Sequence, residues 1–314
     1  MPESPRREAL NHMDPPLQLS ILIVTYNSSD TIQACLESVF TACKDLLAEV
    51  VVVDNHSSDG TAEILEQIIP EHVTLSLQMN RTNRGFAVGN NQALKLARGE
   101  HIMILNPDTI VKPGTFAGLL SALRADETIG AVAPQLQFPD GGIQRTCRRF
   151  PTHGDVIYHV LGLASLFPQS KHFNGWKMGD FDHRSSQTVD QPAGAALLVR
   201  GELLRELRGF DENFPMFFND VDLCKRIWEA GFEIWYLPAH VIQHLGGASV
   251  KQVKMQMTIS SHVSFFRYFE KHFTRLYQQP FNFIVGVLLY AALLPRLLVL
   301  LIFKGRRTQS RETL

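Results

Sequence analysis

The sequence lacks the marks that would place it outside a reducing compartment or on nucleic acid. Its 314 residues hold only four cysteines, Cys35, Cys43, Cys147 and Cys224, with no C-x-x-C pair. Cys35 and Cys224 fall on apolar stripes at helical spacing, so buried free thiols are expected rather than disulfides. Residues 1–16 are polar and Pro-rich with no apolar core. They are no signal peptide and read as a disordered lead-in, residues 1–17. The formal net charge is −1, which leaves no global basic field and argues against nucleic acid as a partner. No internal repeat is visible. The length suffices for one large α/β domain with an appendage.

What is present is an alternation of apolar runs and helical stripes. Leu19–Thr25 (LSILIVT) is nearly all apolar, as expected of a strand covered on both faces. Tyr26, Asn27, Ser28, Ser29 and Asp30 supply turn and cap chemistry before a helical stripe of Ile32, Cys35, Leu36, Val39, Phe40 and Cys43. Further strands are expected at residues 49–53, 73–77 and 101–105. Helices are expected at residues 61–69 and in the stretch up to Ala97, which Gly99 closes. Strands and helices alternating at this spacing mean βαβ units, hence a doubly wound, mostly parallel, Rossmann-like α/β sheet.

Three strands end in polar residues: Thr25-Tyr26-Asn27, Asp54-Asn55 and Asn106-Pro107-Asp108. Open α/β sheets bind ligands outside the carboxyl ends of their strands, so three such endings point to one crevice. The last triplet is a turn, because Pro107 has no N–H and turns Asn106 away from helix. Asp108 is then a candidate for a metal ion or a phosphate-bearing ligand.

These stretches resemble glycosyltransferase family 2. The resemblance rests on Val24-Thr25-Tyr26-Asn27, Val53-Asp54-Asn55 with Ser58-Asp59-Gly60-Thr61, Asn83-Arg84-Gly85-Phe86-Ala87, and Leu105-Asn106-Pro107-Asp108, in that order. The last two forms look most like the bacterial rhamnosyltransferase branch, which uses dTDP-L-rhamnose. The likeness covers residues 19–250 and implies a GT-A fold, with residues 18–134 holding the nucleotide sugar and 135–250 the acceptor. It implies that Asp54 meets the pyrimidine base beside Thr25 and Tyr26, and that Arg84 lies near the phosphates or sugar. Asn27, Asn55, Gly85 and Asn106 complete the donor side. Asp108 becomes the surviving carboxylate of a D-x-D motif, reaching the diphosphate through Mg2+ or Mn2+. Oxygen ligands suit such hard cations. Asn106 departs from the Asp common in the wider family, which weakens the metal site.

Beyond residues 113–125, expected as a helix, and 130–134, expected as a strand, the pattern becomes irregular. Arg145, Arg148 and Arg149 form a basic cluster, read either as a solvated turn or as a site for an anionic acceptor such as a lipid diphosphate. Residues 156–167 are apolar and suit a lid or acceptor-side helix. Residues 189–200 return to strand character, with Gly194 and Ala195 small enough for a ligand to approach the backbone. Residues 217–226 open a helix whose stripe is Val221, Cys224 and Trp228. This block resembles the family's acceptor-side motif. The resemblance implies Asp220 as catalytic base, with Asn219 in place of the usual Glu. Asp222 lies about 200° away around a helix, so it caps the helix or orients a partner. After a strand at 232–237, His244 is the family-implied metal ligand, with His240 the alternative, and the Gly-x-Ser stretch beyond it closes over the diphosphate.

Residues 251–314 form the appendage. Met255, Ile259, His262, Phe266, Phe269 and Phe273 repeat along one helix face. Residues 281–303 are overwhelmingly apolar, broken by Pro295-Arg296 into pieces that allow either a span or an interfacial hairpin. Lys304, Arg306, Arg307 and Arg311 make the tail basic, which places it at the cytoplasmic face of a bacterial plasma membrane. The expectation is an inverting enzyme moving L-rhamnose from a dTDP or UDP donor to a saccharide, on a polyprenyl-diphosphate lipid at the membrane surface. A sugar-1-phosphate nucleotidyltransferase would want a Gly-rich loop after the first strand, and Tyr26-Asn27-Ser28-Ser29 is not one. A non-catalytic scaffold is the other alternative, favoured by Asn106 and Asn219 and opposed by Asp54, Asp108 and Asp220.

Overall fold

The structure is a computed structural model describing residues 16–214, 216–246 and 254–309, with side chains given for all of these except 254–256 and 298–309. The expected lead-in and the Gly-x-Ser stretch therefore lie almost wholly outside the described residues. The first half alternates as the apolar pattern requires: β1 (Leu19–Thr25), α1 (Ile32–Ala42), β2 (Ala48–Asp54), α2 (Thr61–Gln67), β3 (Thr74–Met79), α3 (Phe86–Leu96) and β4 (His101–Leu105). Every residue of β1, β2 and β4 is buried, which explains their unbroken apolar runs. The turn at 106–108 leads into β5 (Thr109–Val111), α4 (Thr115–Ala125) and β6 (Ile129–Gln137). Then come α5 (His153–Val160), α6 (Leu163–Leu166), β7 (Gln187–Thr188), β8 (Ala196–Arg200) and α7 (Gly201–Glu206). The chain ends with α8 (Asn219–Glu229), β9 (Glu233–His244), α9 (Lys254–His272) and α10 (Gln279–Gln309).

One sheet runs β3-β2-β1-β4-β8-β6-β9-β5, with β7 beside β9. The strands β3, β2, β1 and β4 are parallel, as short helical crossovers demand. Beyond β4 the sheet is mixed. β8 lies antiparallel to both β4 and β6, while β6 and β9 are parallel. The doubly wound α/β plan therefore holds. The antiparallel members follow the long excursion after β6, whose return direction no crossover spacing dictates.

Three expectations need correction. The strand expected at 189–200 begins only at Ala196, because Gln191 pairs with Arg148 and the chain turns at 194–195. The strand expected to end at Leu237 runs to His244. It passes Pro238 through a bulge, where Pro134/Leu237 gives way to Gln135/Val241. Pro295 does not divide the C-terminal run, since α10 is one helix of 31 residues. All four cysteines are buried and free.

The appendage is fastened to the sheet domain rather than hung from it. Phe265, Tyr268 and Phe269 of α9 share an apolar cluster with Val156 of α5, Val221 of α8, and Val285 and Leu289 of α10. His153 of α5 reaches Asn282 of α10 at 2.8 Å, so α5, expected as a lid or acceptor-side helix, ties the appendage to the domain. Asp222, fully buried, ties α8 to α9. It accepts from Arg226 Nε at 2.8 Å and His272 Nε2 at 2.8 Å, and pairs with Lys271 Nζ at 2.6 Å. Burial alone would raise its pKa, but the His272 hydrogen bond and the Arg226 and Lys271 charges outweigh it and lower the value to about 2.

Asp222 thus contributes stability that is present above a carboxylate's ordinary 3.8 and is lost as pH falls toward 2. The substitution Asp222→Asn leaves its partly buried basic partners facing a neutral amide, a loss of about 3 kcal/mol. Thermal melts should show a lower Tm at pH 7 and a flatter acid limb. An unchanged melting profile would refute the role.

Candidate active site

The site assembles where β1, β2 and β4 end. Asp54 closes β2 with a buried carboxylate: Oδ1 accepts from Thr25 Oγ1 at 2.8 Å and Ser57 Oγ at 2.5 Å, and Oδ2 from Ser57 N at 2.9 Å. A carboxylate offers about four acceptor positions, so roughly one remains for a ligand. Thr25 itself is fully buried, and its side chain orients Asp54 rather than facing a ligand. Asn27, with φ at 50°, accepts from Ser58 N and so fastens the first loop to the second. Asn55 reaches the third loop, accepting from Arg84 N and donating to the Gly85 carbonyl. Gly85 has φ at 85°, a conformation that admits glycine most readily. Tyr26 and the Arg84 side chain are exposed, and Arg84 forms no ion pair among the described residues. Sequence reasoning missed Ser57 and Asn80, whose side chains complete this wiring.

The turn after β4 carries the second group. Asp108 Oδ1 lies 3.3 Å from His244 Nε2, with both side chains about one-sixth exposed or less. Gln144, which no motif singles out, fixes this histidine. Its Nε2 donates to the His244 carbonyl at 2.6 Å, leaving Oε1 to face His244 Nδ1 at 2.8 Å. Nδ1 then carries the proton, and the Nε2 lone pair points at a carboxylate oxygen. Two acceptors face one another across 3.3 Å, an arrangement that a proton or a metal ion between them satisfies. The Asp108–His244 pair supplies two ligands, and no cluster of three or more His, Cys, Asp or Glu exists among the described residues. The ring of His240, the alternative ligand, packs instead against Gly118 of α4, where an added Cβ would come within 2.1 Å of it.

Gly194 and Ala195 join this turn to α8. Asn106 N donates to the Ala195 carbonyl at 2.9 Å, and Gly194 N donates to Asp220 Oδ2 at 3.0 Å. The small residue at 194 is explained by Asp220 rather than by a ligand, since a Cβ there would meet the Asp220 Cβ at 2.9 Å. Asp220 Oδ1 accepts from Val221 N at 2.9 Å, and burial raises the carboxyl's pKa against these backbone donors. Asp220 meets Gly194 while Asp222 meets Lys271 and His272, so the two carboxylates engage different elements.

Asn219 is buried and holds the loop, donating to the Met216 carbonyl while accepting from Asp220 N. Phe218, just before it, sits at φ 63° and is held there by stacking on Phe265 at 4.6 Å and packing on Tyr268. Arg148 turns its guanidinium onto the carbonyls of Arg145 and Cys147, where burial lowers its pKa. Only Arg145 and Arg149 of that trio are exposed. A cavity of about 350 Å³ opens away from the strand ends, beside Phe150, Lys225, His272 and Arg275.

Comparison with known proteins gives the family and the fold. The profile of glycosyl transferase family 2 matches residues 20–179, just over half of the chain. The N-acetylglucosaminyl-diphospho-decaprenol L-rhamnosyltransferase of Mycobacterium tuberculosis is 27% identical over 237 residues, covering 72% of this chain and 75% of that protein. Rhamnosyltransferase WbbL of Escherichia coli is 27% identical over 236 residues, covering 71% and 82%. Mannosyltransferase PcManGT from Pyrobaculum calidifontis, solved with GDP-Man and Mn2+, superposes with a TM-score of 0.55 at 21% identity. That superposition covers 94% of this chain and 81% of the mannosyltransferase, and the shared fold is GT-A. The chain belongs to glycosyl transferase family 2 and is a glycosyltransferase.

Proposed function

We propose that the chain is an inverting transferase that moves L-rhamnose from dTDP-L-rhamnose, or another sugar from a dTDP or UDP donor. The acceptor is a saccharide hydroxyl on a polyprenyl-diphosphate lipid. The observation that carries the reading is Asp220, held by Gly194 N one residue from the carbonyl that binds the Asn106-Pro107-Asp108 turn. Base and diphosphate turn are thereby set on either side of a single backbone step. The proximity of two relatives named as rhamnosyltransferases supports the donor sugar, and the name of the mycobacterial one supports a diphospholipid acceptor.

In this reading the acceptor oxygen bonds to the anomeric carbon as the bond from that carbon to the nucleoside diphosphate breaks, with inversion. The hydroxyl proton passes to Asp220, whose raised pKa makes it a better proton acceptor than an ordinary carboxylate. The exposed Arg84 offers its charge to the diphosphate, and Asp54, Asn55, Thr25, Tyr26, Asn27 and Gly85 shape the nucleotide pocket. Asp108 and His244 would hold a divalent Mg2+ or Mn2+, which supplies charge neutralisation for the leaving diphosphate. Nucleotide oxygens complete what two protein ligands leave open.

Membrane seating fits α10. The helical stretch Leu276–Leu297, most of which lies in α10, is long and apolar enough to cross a bilayer. Yet Asn282, Val285, Leu289 and Leu293 are buried against the domain, while Phe283, Val287, Tyr290 and Leu294 form an exposed apolar face. A helix half covered by a soluble domain is suited to lying on the cytoplasmic leaflet, where the basic tail meets anionic headgroups.

The substitution Asp220→Asn should leave dTDP binding within about twofold but lower transfer by about 10²–10⁴-fold. In the unsubstituted enzyme, the acid limb of the kcat/KM profile should sit above 3.8, because only the ionised carboxylate accepts the proton. Unimpaired turnover by the variant would sink the assignment. Calorimetry should find Mn2+ binding weak without nucleotide and strengthened by dTDP. His244→Ala should abolish that gain, and Gln144→Ala should reduce it by about 10–100-fold. Equal Mn2+ affinity in all three proteins would exclude this metal site.

A further inference from the structure

A second group of polar residues, outside the proposed chemistry, gathers where α5, α9 and α10 meet. Arg296 of α10 donates from Nη1 to Nε2 of His262 on α9 at 2.8 Å, and His262 Nδ1 faces the Thr258 carbonyl at 2.8 Å. With its Nδ1 proton given to that carbonyl, His262 is neutral and offers Arg296 only a lone pair. Arg296 thus finds no counter-charge in His262, and it pairs with no Asp or Glu among the described residues. His159 of α5 lies close enough that Lys177, Arg296 and His262 all act on it. Burial first, and then these three basic neighbours, lower its pKa. Lys177 also makes no ion pair among the described residues. Two buried atoms beside this group, His159 Nδ1 and Trp176 Nε1, have no hydrogen-bond partner.

A basic cluster without a carboxylate, beside an exposed apolar helix face, calls for an anion. The position favours one that arrives with a lipid. Arg296 is exposed at the end of the row that holds Leu289 and Leu293, and on the outward face of the same helix Leu294 is 64% and Tyr290 47% exposed. The cluster is also linked to the base helix by an aromatic row. His159 contacts Trp176 at 6.4 Å, Trp176 contacts Phe265 at 5.4 Å, and Phe265 stacks at 4.6 Å on Phe218, which precedes α8. Arg149 meets this row only through its backbone, its N donating to the Trp176 carbonyl at 2.9 Å while its side chain is exposed. Arg148, the remaining arginine expected to take the acceptor's phosphates, is committed to backbone carbonyls.

We propose that Arg296 and Lys177, backed by His159 and His262, bind the diphosphate of a membrane-embedded polyprenyl lipid. The site holds the lipid end of the acceptor while its sugar reaches toward Asp220. Arg suits this task because its planar donors match phosphate oxygens, and His262 holds the guanidinium in place before the lipid arrives. The inference rests on the lipid-linked acceptor proposed above.

Flotation of the full chain with phosphatidylcholine vesicles tests it. The vesicles are plain, doped with undecaprenyl diphosphate, or doped with phosphatidylglycerol to the same charge. Undecaprenyl diphosphate should raise affinity above both other vesicles. The double substitution Arg296→Gln with Lys177→Gln should remove about tenfold of that affinity, while plain-vesicle binding, Tm and dTDP binding stay unchanged. If the double variant melts early, Lys177→Gln alone, which breaks no described ion pair, is judged by the same criterion. A variant that binds doped vesicles as the parent does would overturn the site. So would an equal gain from phosphatidylglycerol, which would mark general attraction to anionic headgroups. No sugar is transferred in this assay, so its failure is distinct from a failure of the catalytic reading. Intact binding to undecaprenyl diphosphate without transfer from any dTDP- or UDP-sugar would instead overturn that reading and leave the lipid site standing.

Discussion

The structure depends on one buried carboxylate that takes no part in the proposed chemistry. Asp222 lies fully inside the protein, with Arg226, Lys271 and His272 all within 2.8 Å. An isolated carboxylate could not stay ionised there, because removing it from water costs several kcal/mol. Three donors make the burial tolerable, and two of them come from the end of α9. The helix that presents Asp220 is therefore clamped to the C-terminal helices by charge, and the Phe265-Tyr268-Phe269 cluster adds the apolar share.

A second constraint works on the other side of α8. Gly194 and Ala195 form a short bridge, with Asn106 bonded at one residue and Asp220 at the next. No side chain larger than hydrogen fits at 194 without displacing the Asp220 Cβ. The turn after β4 and the start of α8 thus share a common backbone reference. Their relative position depends on two peptide units rather than on flexible side chains. Catalytic sites gain from such supports, since small displacements of reacting groups are expensive.

Much of this was legible in the sequence. The buried parallel strands announce themselves as apolar runs, and β1 and β4 fall at the residues the pattern indicates. The polar strand endings mark the crevice because a hydrophobic core has no use for carboxylates there. Legibility fails where an interaction spans distant segments. Gln144 sits in an irregular loop and acquires meaning only when β9 brings His244 beside it. Gly194 read as room for a ligand, and the occupant is Asp220. Arg148 read as part of a solvated turn or an anion site, and its guanidinium is spent on backbone carbonyls. Pro295 read as a break, yet α10 continues through it, because a proline removes one helical hydrogen bond without dictating the path beyond it.

Phe218 gives the clamp a dynamic consequence. A non-glycine residue at φ 63° stores on the order of 1–3 kcal/mol, which the surrounding packing must hold in place. Here the packing is supplied by Phe265 and Tyr268, far along the chain. The first turn of α8 and the docked face of α9 therefore open and close as one cooperative unit. In amide hydrogen exchange, protection at Asp220 and Val221 reports on the C-terminal helices as much as on the sheet that surrounds the site.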